Sequence, residues 1–242
     1  MKDFLEVSWD ETADSAPADR VPTWKRMLDI GCVLFALPAV IPLGLIIGSW
    51  IKISSPGPVF FRQIRVGLRG KRFTCLKFRS MRTGADSRVH QDYLKQLMRS
   101  NAPMTKMDDK GDSRLIPLGS FLRSTGLDEL PQLINVVRGE MSLVGPRPCL
   151  PYEYESYLDW QKRRFLTLPG LTGLWQVSGK NRTTFTEMIR LDVAYVENQS
   201  LGLDIKIILA TLPALFEQVA ETRRKRSSDA PEDAAVPSSK PV

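Results

Sequence analysis

Histidine is nearly missing from this chain: the sole one is His90. That excludes histidine-based catalytic triads and His-rich metal sites, and His90 itself reads as a residue on a helix surface. Cysteine is also scarce, with Cys32, Cys75 and Cys149 far apart and odd in number. No disulfide framework or metal spacing emerges from them, which fits a reducing compartment. A Gly-rich phosphate loop of the Rossmann or Walker kind is lacking, which argues against a dehydrogenase or a kinase. Any nucleotide would have to be held by arginines, helix ends and metal. Nor is there a nucleic-acid-binding motif, so no nucleic-acid partner is expected. Finally, acidic residues are absent between Asp29 and Asp86, where Lys52, Arg62, Arg65, Lys77, Arg79 and further cations lie.

What is present is a 242-residue chain of net charge +7, enough for one domain with an anchor. Residues 1–20 are acidic and read as a disordered lead; residues 221–242 are polar and basic and read as a disordered tail. Residues 30–51 form the one long uncharged apolar run, of a length that can cross a bilayer. An acidic stretch precedes it and no small-residue cleavage site follows, so it is not a removable signal. Pro38 and Pro42 in its middle predict a kink. Two readings follow: a straight span, or a re-entrant helix bent at Pro42 that returns to the side it entered. Basic residues flank both ends (Lys25 and Arg26, then Lys52), favouring re-entry with both ends cytoplasmic.

Beyond the run, Ser54-Ser-Pro-Gly-Pro58 breaks the helix. Residues 59–61 and 73–78 read as strands, with Gly67-Leu-Arg-Gly70 as the turn of a β-hairpin. Helices are expected over 86–100, 115–124, 128–138, 152–166 and 184–198, with 169–183 irregular. Residues 203–219 carry an apolar pattern that suits an amphipathic interfacial helix or a core helix.

Three local features can carry chemistry. In Leu127-Asp-Glu-Leu-Pro131 the proline is tolerated only in a helix's first turn, which places Asp128 and Glu129 near a helix N-terminus. The positive dipole end there should keep a carboxylate ionised and attract phosphate; a plain N-cap is the competing reading. In Gly145-Pro-Arg-Pro148 two prolines fix the backbone around Arg147, which suits bidentate phosphate binding or is simply a turn with a solvated arginine. Strand alternation sends Lys77 and Arg79 to one face, as a diphosphate clamp or a solvated strand edge.

Taken together the motifs are far more specific than any one of them. From about Lys25 to about Pro213 the chain resembles the bacterial sugar transferase family, the small monotopic phosphoglycosyl transferases. The resemblance rests on Lys25-Arg-Met-Leu-Asp29, Ser55-Pro-Gly-Pro-Val-Phe-Phe-Arg-Gln63, Phe73-Thr-Cys-Leu-Lys-Phe-Arg-Ser-Met81 and Leu127-Asp-Glu-Leu-Pro-Gln-Leu-Ile-Asn-Val136. It continues through Gly139-Glu-Met-Ser-Leu-Val-Gly-Pro-Arg-Pro148, Pro169-Gly-Leu-Thr-Gly-Leu-Trp-Gln-Val-Ser-Gly179 and Leu191-Asp-Val-Ala-Tyr-Val196.

That resemblance implies an α+β fold: an N-terminal re-entrant membrane helix hairpin over 21–54, bent at Pro42, and a small catalytic domain over 55–220 with a β-hairpin and amphipathic interfacial helices. It implies Asp128 and Glu129 as the catalytic pair and Arg123, Arg147, Lys77, Arg79 and Asp192 as substrate-binding residues. The family often has Ser where Ile41 precedes the bend proline, and Pro38 is an added breaker. The polytopic front half of larger relatives is absent, which implies a minimal catalytic form. The implied reaction moves a sugar-1-phosphate from a UDP-sugar to undecaprenyl phosphate at the cytoplasmic face of the bacterial inner membrane. UMP leaves and a phosphosugar–aspartate forms on Asp128, with Mg²⁺ held partly by Asp128 and Glu129. The alternative is a non-catalytic membrane-anchored protein that binds anionic lipid or assembly partners. The sugar, the pathway and the oligomeric state, including a homodimer, stay open.

Overall fold

The computed structural model describes residues 21–82, 114–179 and 183–228, with side chains as far as 220. The acidic lead and the helix expected over 86–100 lie outside these residues. Thr23–Ser54 forms a single helix, α1, that contains both Pro38 and Pro42. Its apolar window is long and hydrophobic enough to cross a membrane, and only 11% of that window is buried.

Phe60–Val66 (β1) and Arg72–Phe78 (β2) make the expected antiparallel hairpin, with Phe61 opposite Lys77 and Gln63 opposite Cys75. Their turn is a 3₁₀ segment, Leu68–Gly70. By alternation Gln63, Arg65, Cys75 and Lys77 share one face. Gly119–Thr125 (α2) starts later than expected, because Leu115 bridges Met81 and Ile116 N donates to Ser80 O. The expected helix over 128–138 is in fact two pieces. Leu127–Glu129 is a 3₁₀ turn, and Pro131 N-caps the six-residue α3, Gln132–Val137.

Ser142–Val144 (β3) pairs in parallel with Gly170–Thr172 (β4), a strand within the stretch expected to be irregular. The two backbones meet so closely that a Cβ on Gly170 would lie 2.1 Å from Gly145 N, and one on Gly145 2.3 Å from Leu168 O. Only glycine fits either position. The span 152–166 is broken into Pro151–Glu155 (α4), Asp159–Lys162 (α5) and a 3₁₀ turn over Arg163–Leu166. Leu174–Val177 (α6) is one turn. Phe185–Glu197 (α7) begins at Thr184, whose hydroxyl accepts from Glu187 N while the Glu187 carboxylate accepts from Thr184 N. Leu201–Ser228 (α8) runs past 219 into the segment read as a disordered tail.

The main core gathers Phe185, Met188, Ile189 and Val193 of α7 against Val66, Tyr157, Phe165 and Trp175. Smaller clusters dock α1 on the same body. Val33 packs with Cys75, Val136 and Met141, while Ile47 and Ile51 pack with Phe78, Ile116 and Leu122. Polar anchors fix the α1 N-terminal end. Lys25 Nζ reaches Asp204 Oδ2 at 2.6 Å and Val144 O at 2.8 Å, Asp29 Oδ1 accepts from Ser142 Oγ and Leu143 N, and Arg26 donates to Val136 O and Val137 O. The Lys25-Arg-Met-Leu-Asp29 motif is thus a clamp.

Candidate active site

Asn135 of α3 lies along the edge of β2: its Oδ1 accepts from Leu76 N and its Nδ2 donates to Thr74 O. An amide side chain thereby completes the strand's backbone pairing, which sets the Leu127–Glu129 turn beside the end of β2. Gly126 makes that turn sharp. It is left-handed (φ +74°) and joins α2 directly to the 3₁₀ segment.

The acidic pair therefore meets the hairpin face. Glu129 Oε1 accepts from Lys77 Nζ at 2.6 Å and from Arg147 Nη2 at 3.3 Å. A narrow cleft opens here, lined by Arg65, Cys75, Lys77, Glu129, Gln132 and Arg147 with Pro148 and Gly170. Asp128 is 8% exposed and is not one of the lining residues. Burial pushes its carboxyl above the usual aspartate range, and adjacent Glu129 adds to the rise. Lys77, Arg123 and Arg147 pull it back. The helix start expected at Asp128 falls later, since α3 begins at Gln132 after Pro131. Asp128 lies in a 3₁₀ turn ahead of α3, and desolvation outweighs its cationic neighbours.

Glu129 raises the pKa of Arg147, which stays cationic with its side chain 32% exposed. Arg65 shifts the other way, lowered by burial and by the nearby charge of Arg147. Lys77 and Arg147 thus converge on one carboxylate, with Arg65 also lining the cleft, an excess of positive charge suited to a diphosphate. Arg123, half-buried in the last turn of α2, adds its field to Asp128.

Two expected ligands are elsewhere. Arg79 is enclosed and donates to Ser55 O at 2.7 Å and to Pro56 O, where it closes the C-terminal end of α1. It follows Phe78, the last residue of β2, so the alternation argument ends before it. Asp192, 2% exposed, lies 2.6 Å from Arg164 Nη2, and burial lifts its carboxyl to about 6 against the pull of that arginine. It is sealed in the core behind the Arg147 loop, since Arg164 also donates to Arg147 O at 2.9 Å. Sequence reasoning missed Arg65 and Arg164. The hairpin register could have placed Arg65 beside Lys77; nothing local marks Arg164.

Asp128 and Glu129 are the adjacent carboxylates that would hold a divalent cation, Glu129 Oε1 being shared with Lys77 and Arg147. Among the described residues no three His, Cys, Asp or Glu come together as a metal cage. That donor set fits Mg²⁺, which takes one or two carboxylates and fills its sphere with substrate phosphate oxygens.

The chain belongs to the bacterial sugar transferase family, whose model matches residues 20–218. It is 41% identical to the exopolysaccharide production protein ExoY of Sinorhizobium fredii, over 79% of this chain and 84% of that protein. It is 44% identical to the galactosyl transferase CpsE of Streptococcus agalactiae, over 79% of this chain and 42% of that one. It is 41% identical to the undecaprenyl-phosphate galactose phosphotransferase of Salmonella typhimurium, over 80% of this chain. The chain spans only 40% of that last relative.

Proposed function

We propose that this protein transfers a sugar-1-phosphate from a UDP-sugar to undecaprenyl phosphate through a covalent intermediate on Asp128. The observation that carries the reading is the Asp128–Glu129 pair beside a cleft where Lys77, Arg65 and Arg147 converge. The names of relatives as undecaprenyl-phosphate sugar phosphotransferases support it.

The donor's diphosphate is held between Arg147 and Lys77. An Asp128 carboxylate oxygen attacks the sugar-bearing phosphorus. The bond from that phosphorus to the bridging oxygen breaks, its electron pair stays on the oxygen, and UMP leaves. A phosphate oxygen of the acceptor then attacks the same phosphorus and frees the Asp128 carboxylate, giving a polyprenyl diphosphate-sugar. Mg²⁺ held by Asp128 and Glu129 would neutralise the diphosphate. Arg123 and Lys77 favour the ionised nucleophile, and Arg147 keeps Glu129 oriented. In Asp128→Asn, UMP release from donor alone is expected to vanish; release at the wild-type rate defeats the assignment.

The protein acts at the cytoplasmic face of the bacterial inner membrane, with α1 entering one leaflet and both its ends on the same side. Supporting this, residues near each end of α1 dock on one folded body, while Leu34, Phe35, Ile41, Leu45, Ile46 and Ile53 face outward. A straight span would leave one end without that support. Leu201, Ile205, Leu209, Leu212 and Phe216 form an exposed stripe along α8 that suits the same interface.

A further inference from the structure

The segment Val144–Cys149 is gripped at its carbonyls. Lys25 Nζ donates to Val144 O, Gly170 N to Pro146 O and Val66 N to Cys149 O. The two carbonyls that follow Pro146 are held by arginine side chains: Arg164 Nη2 reaches Arg147 O at 2.9 Å, and Arg65 Nη1 reaches Pro148 O at 3.1 Å. Each arginine is itself aimed. Gln63 Oε1 accepts from Arg65 Nε and Nη2, while Tyr157 OH accepts from Arg164 Nη1 and Asp192 lies 2.6 Å from Arg164 Nη2. Arg164 is 2% exposed, and burying a guanidinium is expensive unless it is paired. Holding three like charges together around one largely buried loop needs a compensating purpose.

We propose that Arg65 and Arg164 are positioning residues that set the Arg147 side chain against the donor's diphosphate, with Asp192 anchoring Arg164. This rests on the reading of Arg147 as a phosphate ligand. Two prolines limit the loop's dihedrals, and the two arginine grips remove the remaining freedom of the peptide that carries Arg147. The guanidinium is then presented at one angle to the cleft, where bidentate phosphate binding demands it. Asp192 thereby acts on substrate only through Arg164 and the backbone.

The test uses the full chain in lipid nanodiscs, with Arg164→Lys and Arg65→Lys, which keep charge and lose the planar fork. Hydrogen exchange at the Gly145, Arg147 and Cys149 amides is expected to quicken in both. Donor KM should rise about tenfold or more, beyond any change in kcat. In an Arg147→Ala background each lysine variant should change KM less than about twofold, as coupled residues do. Unchanged exchange overturns the proposal, as does an unchanged KM with kcat lost in proportion to folded protein, or an equal effect in the Arg147→Ala background. Should Arg164→Lys not fold, Asp192→Asn carries the same readings. If the wild type releases no UMP from any UDP-sugar, the functional reading fails, and the exchange data still decide the grip.

Discussion

Asp128 owes its chemistry to two opposed influences. Burial raises its pKa, and Lys77 is the foremost of the cations that lower it. In the proposed mechanism the attacking form is the carboxylate, so activity is expected to be lost as pH falls through the folded-state value. Because that value lies above the usual 3.8, the acid limb of kcat/KM should have its midpoint above the ordinary aspartate range. Lys77→Met removes the main stabiliser of the charged form and should move this limb to higher pH. A pH–rate profile of the two proteins checks it; a limb that stays in place assigns the titration to another group. Glu129 is different, since its carboxylate already answers Lys77 and Arg147.

At the scale of elements, α1 is fastened at each end by a buried cation. Lys25 and Asp204 are 0% and 1% exposed, so Lys25→Met leaves a carboxylate buried without its partner. A loss of about 3–5 kcal/mol is expected, read from denaturation midpoints, and Lys25→Met with Asp204→Leu should recover part of it. Arg79→Ala uncaps Ser55 and Pro56. It should lower Tm by removing hydrogen bonds that contribute about 1.5–3 kcal/mol each to a charged group, while donor KM stays near wild type. A raised KM in Arg79→Ala would return that arginine to the substrate.

The same elements show what was legible in the chain. The hairpin follows from Gly67-Leu-Arg-Gly70 between apolar runs, and the helix expected over 184–198 is α7, which the structure opens with Thr184 and Glu187. The sequence predicts one helix over 128–138 with Pro131 inside its first turn, whereas Pro131 caps a shorter helix. Residues 152–166 look continuous in sequence. Tertiary packing of Tyr157 and Phe165 into the α7 core goes with a chain divided into three short turns. Long-range partners such as Arg164 with Arg147 O have no local signature.

At the scale of the whole molecule, the proposal is one catalytic body wedged against a bilayer by α1 and α8. A 32-residue helix extends about 48 Å, more than the hydrocarbon thickness of a membrane, yet its flanks dock on one side of the body. Cysteines placed at Lys52 and at Met27 in a cysteine-free chain should therefore react with an impermeant maleimide from the same side of sealed vesicles. Labelling from opposite sides would show a spanning helix. A body seated this way can meet a soluble donor and a lipid acceptor in turn at one site.

The proposed covalent step is tested directly by mixing the chain with a UDP-sugar and no acceptor, then mapping tryptic peptides by mass. Trypsin should release Ser124–Arg138, which contains Asp128. The account predicts one sugar-phosphate on Asp128 and about one UMP freed per active chain, both discharged by undecaprenyl phosphate. Full turnover with UDP as the product, or with no adduct on that peptide at any time, would contradict it.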